Sequence, residues 1–245
     1  MKKIGLLIFA ILVAVSAFAA DSKTVSYKSG DETVQGTLYT PAGKGPFPAL
    51  LVIHEYWGLN DWVKDQASRL ADEGYVTLAV DLYRGRVAST PDMAHELMRG
   101  VPEDRAKRDL HAAFEFLTTQ PNVKKNRIGS IGWCMGGGYS LDVALQEPTL
   151  AADVINYGHL ATDLDALKKI NAPILGLFGG QDRGITPDDV KKGSVRRWIS
   201  WARRSTSRFM TTPAMPSKIP TTRTDTAPPT PPTHGIAPLP FSPTI

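Results

Sequence analysis

The sequence has little cysteine and little histidine. It contains one cysteine, Cys134, among 245 residues, so the chain can form no internal disulfide bond. Its glycine run, Gly136 to Gly138, does not precede a lysine–serine pair, which excludes a phosphate-binding loop of that type. Four histidines have no ligand-like spacing with one another or with acidic residues: His54, His95, His111 and His159. The sequence therefore predicts neither a metal site nor a cofactor.

The first residues have the composition of an export signal. Lys2 and Lys3 precede an apolar run from Ile4 to Val15, and Ala17-Phe18-Ala19 has the small-x-small pattern that signal peptidase requires. The run is shorter than the roughly 20 apolar residues that span a bilayer as a helix. We predict a signal peptide over residues 1–19, no membrane contact after its cleavage, and a periplasmic or secreted mature protein. A free thiol is unusual in such an oxidising compartment unless it is used.

Apolar runs alternate with amphipathic segments over residues 20–192, which we predict to form one domain. Continuous runs such as Pro48–His54 and Val76–Val80 are typical of buried parallel strands. The other predicted strands are Thr24–Ser29, Thr33–Tyr39, Asn126–Trp133, Ala152–Tyr157 and Pro173–Phe178, and the predicted helices are Asp61–Glu73, Pro102–Thr118, Gly137–Gln146 and Asp163–Ile170. This alternation predicts an α/β fold with a mostly parallel sheet and helices on both faces.

The segment Gly132-Trp133-Cys134-Met135-Gly136 places the cysteine between a predicted strand and a predicted helix. In a G-x-nucleophile-x-G elbow, small residues flank a nucleophile on a strained turn, because larger ones would clash with the strand and the helix. The Met135 N–H would then contribute to an oxyanion hole, and the helix N-terminus would favour a thiolate at Cys134. The alternative is that Cys134 is a small buried core residue, which is the usual place of a free cysteine.

Four motifs make the chain from about Val25 to Lys192 resemble the dienelactone hydrolase family. They are His54-Glu55-Tyr56-Trp57-Gly58-Leu59-Asn60, Asp81-Leu82-Tyr83, the elbow at Cys134, and Gly179-Gly180-Gln181-Asp182. The resemblance implies the α/β-hydrolase fold. It also implies that the protein hydrolyses a small-molecule ester or lactone with a cysteine nucleophile.

The resemblance also implies roles for individual residues. Glu55 matches the glutamate that hydrogen-bonds the resting thiol and is displaced by substrate, and the Tyr56 N–H would be the second oxyanion donor. Asp182 matches the acid that orients the catalytic histidine. From the residues alone, two alternatives stay open: Glu55 as a solvated loop carboxylate, and Asp182 as a helix N-cap or turn aspartate before Thr186.

Two arginines are candidates for binding a substrate anion. Family members that act on dienelactones hold the substrate carboxylate with an arginine just beyond the D-L-Y motif. Here Gly85 stands at that position, between Arg84 and Arg86. The alternative is that both arginines are solvated surface charges.

The histidine that would complete the triad is not where the resemblance requires it. In this fold it follows the acid in the chain, and the only histidine after Asp182 is His234. His234 lies in a region, residues 193–245, that has seven basic residues against one acid and no strand or helix periodicity. Ten of the chain's nineteen prolines fall between Pro213 and Pro243. This composition is typical of a disordered tail without a core.

A shifted reading frame explains this tail better than a nucleic-acid or membrane partner. One frame away, the codons from Phe209 to Pro220 permit Tyr-Asp-Asp-Ala-Gly-His-Ala-Phe-Glu-Asn-Pro, which resembles the catalytic-histidine turn of the family. We predict that a frameshift near Gly193 replaced the last strand, the histidine and the final helix, so that activity is impaired and no nucleic acid is bound. The alternatives are a genuine disordered extension, and a non-catalytic remnant or binding protein.

Overall fold

The computed structural model describes residues 20–161 and 163–192, and this part of the chain contains seven strands and six helices. The strands are β1 (Asp21–Ser29), β2 (Glu32–Thr40), β3 (Phe47–Ile53), β4 (Val76–Val80), β5 (Val123–Trp133), β6 (Ala152–Asn156) and β7 (Ile174–Leu177). The helices are α1 (Asp61–Asp72), α2 (Pro91–Arg99), α3 (Glu103–Thr119), α4 (Met135–Gln146), α5 (Leu164–Leu167) and α6 (Pro187–Lys192). The predicted signal peptide, the tail and the predicted loss of the last strand and helix lie outside the described residues.

The described strands form one sheet in the order β1-β2-β4-β3-β5-β6-β7. β2 pairs with β1 and with β4 in antiparallel orientation, whereas β4, β3, β5, β6 and β7 are parallel to one another. Every residue of β4 and β6 is buried, as expected for strands that are covered on both faces. The prediction of a mostly parallel α/β sheet is confirmed.

Helices cover both faces of the sheet, and each face has its own apolar core. On one face, Val63 and Leu70 of α1 belong to the same core as Val52 of β3. On the other face, Leu110 of α3 belongs to the core that includes Leu51 of β3. Successive strand residues point to opposite faces, so adjacent positions of β3 serve the two cores. Among the described residues, no helix is both long enough and apolar enough to cross a membrane.

The structure differs from the sequence-based prediction mainly in short helices. Apolar periodicity misses α2 and α6, because helices of nine and six residues bury few side chains. Thr90 caps α2 by accepting the Met93 N–H, with Pro91 at the first helical position, so capping residues were the usable signal. The predicted helix Asp163–Ile170 is shorter in the structure, where it ends at Leu167. Beyond Leu167 the chain forms tight turns, in one of which the Ile170 N–H donates to Leu167 O.

A buried carboxyl group lies beneath α4. Asp153 of β6 is fully buried, and its Oδ1 accepts hydrogen bonds from Ser130 Oγ of β5, at 2.8 Å, and from Ser140 Oγ of α4. Among the described residues its Oδ2 has no hydrogen-bond partner. Burial raises the pKa of Asp153 to about 7, although the serine hydrogen bonds oppose the rise. At acidic pH this site therefore holds a neutral carboxylic acid.

This raised pKa predicts that stability decreases as the pH rises. Between the ordinary pKa of 3.8 and the folded value of about 7, the native protein keeps a proton that the unfolded chain has lost. From about pH 5 to about pH 8, we expect the free energy of unfolding to fall by roughly 2–3 kcal/mol relative to Asp153→Asn. Urea unfolding of both proteins at each pH measures the difference. Parallel pH profiles for the two proteins would contradict this expectation.

Candidate active site

The turn between β5 and α4 holds Cys134 in a strained backbone conformation. Cys134 has a φ of 53° and a ψ of −118°, which residues with a side chain rarely adopt. Its N–H donates to Asn156 O of β6 at 2.9 Å, and its carbonyl accepts from the N–H groups of Gly137 and Gly138. The sheet and the helix together hold the cysteine at the carboxyl ends of β5 and β6.

The elbow needs glycine on both sides of Cys134, because backbone segments meet there. A Cβ added at Gly132 would lie 2.0 Å from Gly136 O, and one added at Gly136 would lie 2.4 Å from Ile53 O. Both distances are far inside van der Waals contact. The start of α4 therefore packs directly on the backbone of β3 and β5, and this packing fixes the position of the thiol.

Glu55 follows β3, and its carboxylate lies in the same site as the thiol. Its Oε1 accepts a hydrogen bond from the hydroxyl of Tyr157 at 3.1 Å. Tyr157 comes directly after β6 with a φ of 41°. Desolvation raises the pKa of Glu55, and the hydrogen bond from Tyr157 opposes part of this rise. The Glu55 side chain is thus partly buried and hydrogen-bonded rather than fully solvated in a loop.

The surroundings of Cys134 raise the pKa of its thiol above the ordinary value of 9.0. Desolvation raises its pKa most, followed by the negative charge of Glu55, and the charge of Asp182 adds a further rise. A hydrogen bond from the Met135 N–H lowers the pKa without cancelling the rise. The Met135 N–H at the helix N-terminus thus favours the thiolate, but burial and the charge of Glu55 outweigh this effect and raise the pKa. The thiol needs a base before it can attack a carbonyl group.

Asp182 lies in the loop after β7 and forms a turn. Its Oδ1 accepts hydrogen bonds from the N–H groups of Gly184, at 2.7 Å, and Ile185, at 3.1 Å. These are the contacts of a turn aspartate, one of the two alternatives that the sequence leaves open. Its charge also acts on the Cys134 thiol. The structure thus places Asp182 in a turn that lies within electrostatic reach of the cysteine.

Three of the described histidines, His54, His95 and His111, have partners other than Asp182 and Cys134. His54 contacts backbone groups of neighbouring loops, and His111 hydrogen-bonds Glu147. The ring of His95 packs on Tyr56, and His159 follows β6 near the start of α4. Within this part of the chain, no group of three histidine, cysteine or acidic side chains is placed to hold a metal ion.

The two candidate arginines pair with acidic side chains. Arg84 forms ion pairs with Glu32 at 2.7 Å and with Asp109 at 2.8 Å, and the Asp109 side chain is only 1% exposed. Arg84 is therefore not a solvated surface charge, and its guanidinium joins the loop after β4 to β2 and α3. Arg86 is largely exposed and lies 3.9 Å from Glu96. Its position agrees with the surface-charge alternative.

Three further residues surround the predicted site, and the sequence reasoning assigns none of them a role. The hydroxyl of Tyr83 donates to Tyr56 O at 3.1 Å and contacts Met135 Sδ at 3.3 Å. Tyr157 holds Glu55, and His54 contacts the Glu55 carbonyl. Tyr83 belongs to the motif Asp81-Leu82-Tyr83, which could have identified it as a site residue. Nothing in the local sequence marks Tyr157.

The Tyr157 hydrogen bond predicts a change in the titration of Glu55. Tyr157→Phe removes a donor that stabilises the charged carboxylate, so the pKa of Glu55 should rise above its wild-type value. Carboxyl carbon NMR with labelled glutamate measures this pKa directly. Tyr39→Phe, on the opposite face of the sheet, is the matched control and should leave the titration unchanged. An unchanged Glu55 titration in Tyr157→Phe would show that the hydrogen bond has no electrostatic effect.

A mostly parallel sheet with helices on both faces and a strand–turn–helix elbow after β5 define an α/β-hydrolase. Within this class the chain belongs to the dienelactone hydrolase family, whose sequence model matches residues 34–196. A carboxymethylenebutenolidase homologue from Methylorubrum extorquens is 36% identical over 187 residues, which cover 71% of this chain and 64% of that protein. A second homologue, from Saccharolobus solfataricus, is 33% identical over 66% of this chain and 76% of its own length.

Solved structures agree with this assignment. A dienelactone hydrolase homologue from Klebsiella pneumoniae superposes with a TM-score of 0.67 at 27% identity, covering 80% of this chain and 86% of that chain. The chain spans less than two thirds of the length of the Methylorubrum relative. Membership of the family is thus shown over the described domain.

Proposed function

We propose that this protein cleaves small carboxylic esters or lactones with Cys134 as the nucleophile. The strained elbow carries the proposal, because it holds the thiol beside Glu55 and against the Met135 N–H. The relatives' name, carboxymethylenebutenolidase, designates an enzyme that acts on a lactone, which supports the same reaction class here. No cofactor takes part in this chemistry.

Acylation uses the two acidic groups of the site. As substrate binds, the thiol proton of Cys134 passes to the Glu55 carboxylate, whose raised pKa suits it to accept a proton. Sγ attacks the carbonyl carbon, and the N–H groups of Tyr56 and Met135 stabilise the oxyanion. Collapse of this intermediate breaks the bond to the alkoxy oxygen. The leaving alcohol takes the proton back from Glu55, and a thioester remains on Cys134.

Hydrolysis of the thioester requires a base that activates water. The resemblance assigns this role to a histidine oriented by Asp182, and His234, the only later histidine, lies outside the described residues. The described histidines do not hydrogen-bond Asp182. We therefore propose that deacylation limits turnover in this chain, which agrees with the hypothesis that the reading frame shifts near Gly193.

The charge of the site favours neutral substrates. Both guanidinium groups beyond the D-L-Y motif face acidic partners: Arg84 pairs with Glu32 and Asp109, and Arg86 lies near Glu96. A substrate carboxylate would have to displace the acidic partners of Arg84, whereas Arg86 is largely exposed at the surface. A small neutral ester is therefore the appropriate probe for the cysteine.

Covalent labelling tests the nucleophile. With p-nitrophenyl acetate, the wild-type protein should gain one acetyl group, and peptide mapping should place it on Cys134. Cys134→Ala should gain none while keeping the same circular dichroism spectrum. Ser140→Ala, a change of a buried hydroxyl on the inner face of α4, should label like the wild type. Equal labelling of Cys134→Ala would refute the proposed function.

We also propose that residues 1–19 are removed during export. The Ala20 N–H donates to Asp72 Oδ1 at 3.1 Å, so cleavage after Ala19 would create an ammonium group beside this carboxylate. N-terminal sequencing of the protein from cell fractions tests the proposal. We expect a chain that begins at Ala20 in the periplasm or the medium. A chain that keeps Met1 in the cytoplasmic fraction would contradict export.

A further inference from the structure

His54 is a fully buried polar side chain that the proposed mechanism does not use. It comes directly after β3, and its ring lies between two loops. Its Nδ1 lies 2.6 Å from Glu55 O, and the Leu82 N–H donates to its Nε2 at 3.3 Å. Its ring also packs edge-on against Tyr83, with centroids 4.7 Å apart. A buried imidazole with a partner on each nitrogen has a fixed orientation.

These partners determine which nitrogen carries the proton. A backbone N–H can only donate, so Nε2 must present its lone pair to Leu82. A carbonyl can only accept, so Nδ1 must carry the hydrogen and donate it to Glu55 O. Burial lowers the pKa of His54 and keeps the ring neutral. The ring is therefore a permanent donor to the Glu55 carbonyl.

The Glu55 carbonyl belongs to the peptide group whose N–H is that of Tyr56. In the described residues the only cis peptide bond is Gly45–Pro46, so the Glu55–Tyr56 bond is trans, and its C=O and N–H point in opposite directions. The carbonyl is turned inward, where it accepts from His54 and from the Gly58 N–H at 3.1 Å. The Tyr56 N–H must then point the other way. Among the described residues it donates to no backbone carbonyl.

We propose that His54 is a positioning residue that holds this peptide so that the Tyr56 N–H points at the oxyanion. The inference deepens the proposed function and rests on it. A hydrogen bond to the carbonyl of an amide also strengthens its N–H as a donor, because linked hydrogen bonds polarise one another. The chain of contacts runs from the Leu82 N–H through the imidazole and the peptide to the oxyanion. Tyr83 fixes the next peptide by donating to Tyr56 O.

Two reactions of Cys134 separate this role from a merely structural one. Acylation by p-nitrophenyl acetate passes through an oxyanion, whereas alkylation by iodoacetamide does not. Loss of an oxyanion donor costs roughly 10²–10³ in rate, and a misaligned donor should cost part of this. We expect His54→Phe to slow acylation by roughly 10 to 100 times and to change alkylation by less than about twofold. His54→Asn, which keeps a donor near the place of Nδ1, should recover most of the acylation rate.

Thr77→Val is the matched control. Thr77 is also fully buried, and its hydroxyl donates to Ala67 O on the other face of the sheet. The substitution removes this one hydrogen bond. Its ratio of acylation to alkylation should equal that of the wild type. If His54→Phe does not fold, nitrogen NMR of the wild-type protein decides the question. Nδ1 should carry the proton, and its signal should move when an aldehyde forms a thiohemiacetal with Cys134.

The outcomes are distinct. If His54→Phe acylates at the wild-type rate, His54 has no positioning role. If its acylation and alkylation rates fall together, the role of His54 is also overturned. Both outcomes leave the proposed function intact. A proton on Nε2, or an Nδ1 signal that the aldehyde leaves unmoved, would overturn it as well. Absence of any Cys134-dependent acylation in the wild type would overturn the proposed function, and the role of His54 with it.

Discussion

With excess p-nitrophenyl acetate, we expect each protein molecule to release one nitrophenol in a fast burst. Later turnover should be slower than that of an enzyme with an intact triad by a factor of roughly 10⁴ or more. The site has what acylation requires: a thiol, a carboxylate of raised pKa, and two N–H donors. Among the described residues, no histidine forms a hydrogen bond with Asp182. The thioester should therefore accumulate, and stopped-flow absorbance should resolve the two phases.

External base and two variants identify the cause of the slow phase. Imidazole in solution should accelerate it in proportion to its concentration, since it supplies the missing base. Asp182→Asn and His234→Gln should leave the slow phase unchanged, because the frameshift hypothesis gives neither residue a part in deacylation of this chain. The wild-type protein could instead turn over as fast as it is acylated, and His234→Gln could lose this turnover. The tail would then supply the histidine, and the frameshift hypothesis would be wrong.

The second large effect concerns the elbow itself. Gly132→Ala would place a Cβ 2.0 Å from Gly136 O and 2.3 Å from Gly136 C. Both groups belong to backbone that is held by the sheet and by α4, so neither can move away without loss of packing. We expect a destabilisation of about 3 kcal/mol or more, above the usual range for overpacking, together with loss of Cys134 acylation. Thermal unfolding monitored by circular dichroism measures the first effect.

Gly100→Ala is the control for a glycine outside the elbow. Gly100 caps the C-terminus of α2 with a φ of −79°, which alanine also adopts, and the added Cβ would lie 3.3 Å from its nearest neighbour. This variant should unfold within a few degrees of the wild type and label normally. If Gly132→Ala behaved the same way, the close contact across the elbow would not exist in solution.

The sequence predicts the domain from about residue 20 to 192 and its sheet because the signals there are local. Buried strands such as β3 and β4 are continuous apolar runs, and the glycines of the short elbow motif are required by steric contacts. Motif residues that are close in the chain, such as Glu55 and Tyr56, or Cys134 and Met135, are placed together by the ends of β3 and β5. Family membership follows from the same motifs.

The tertiary structure alone decided the contacts between distant segments. Tyr157 reaches Glu55 across 102 positions, and Arg84 pairs with Glu32 and Asp109 from two other elements. No local pattern encodes such pairs, because they depend on which loops the sheet order brings together. The protonation of Cys134 shows the same limit. Its position at a helix start indicates a thiolate, but desolvation and the neighbouring carboxylate, which only the folded chain supplies, raise its pKa.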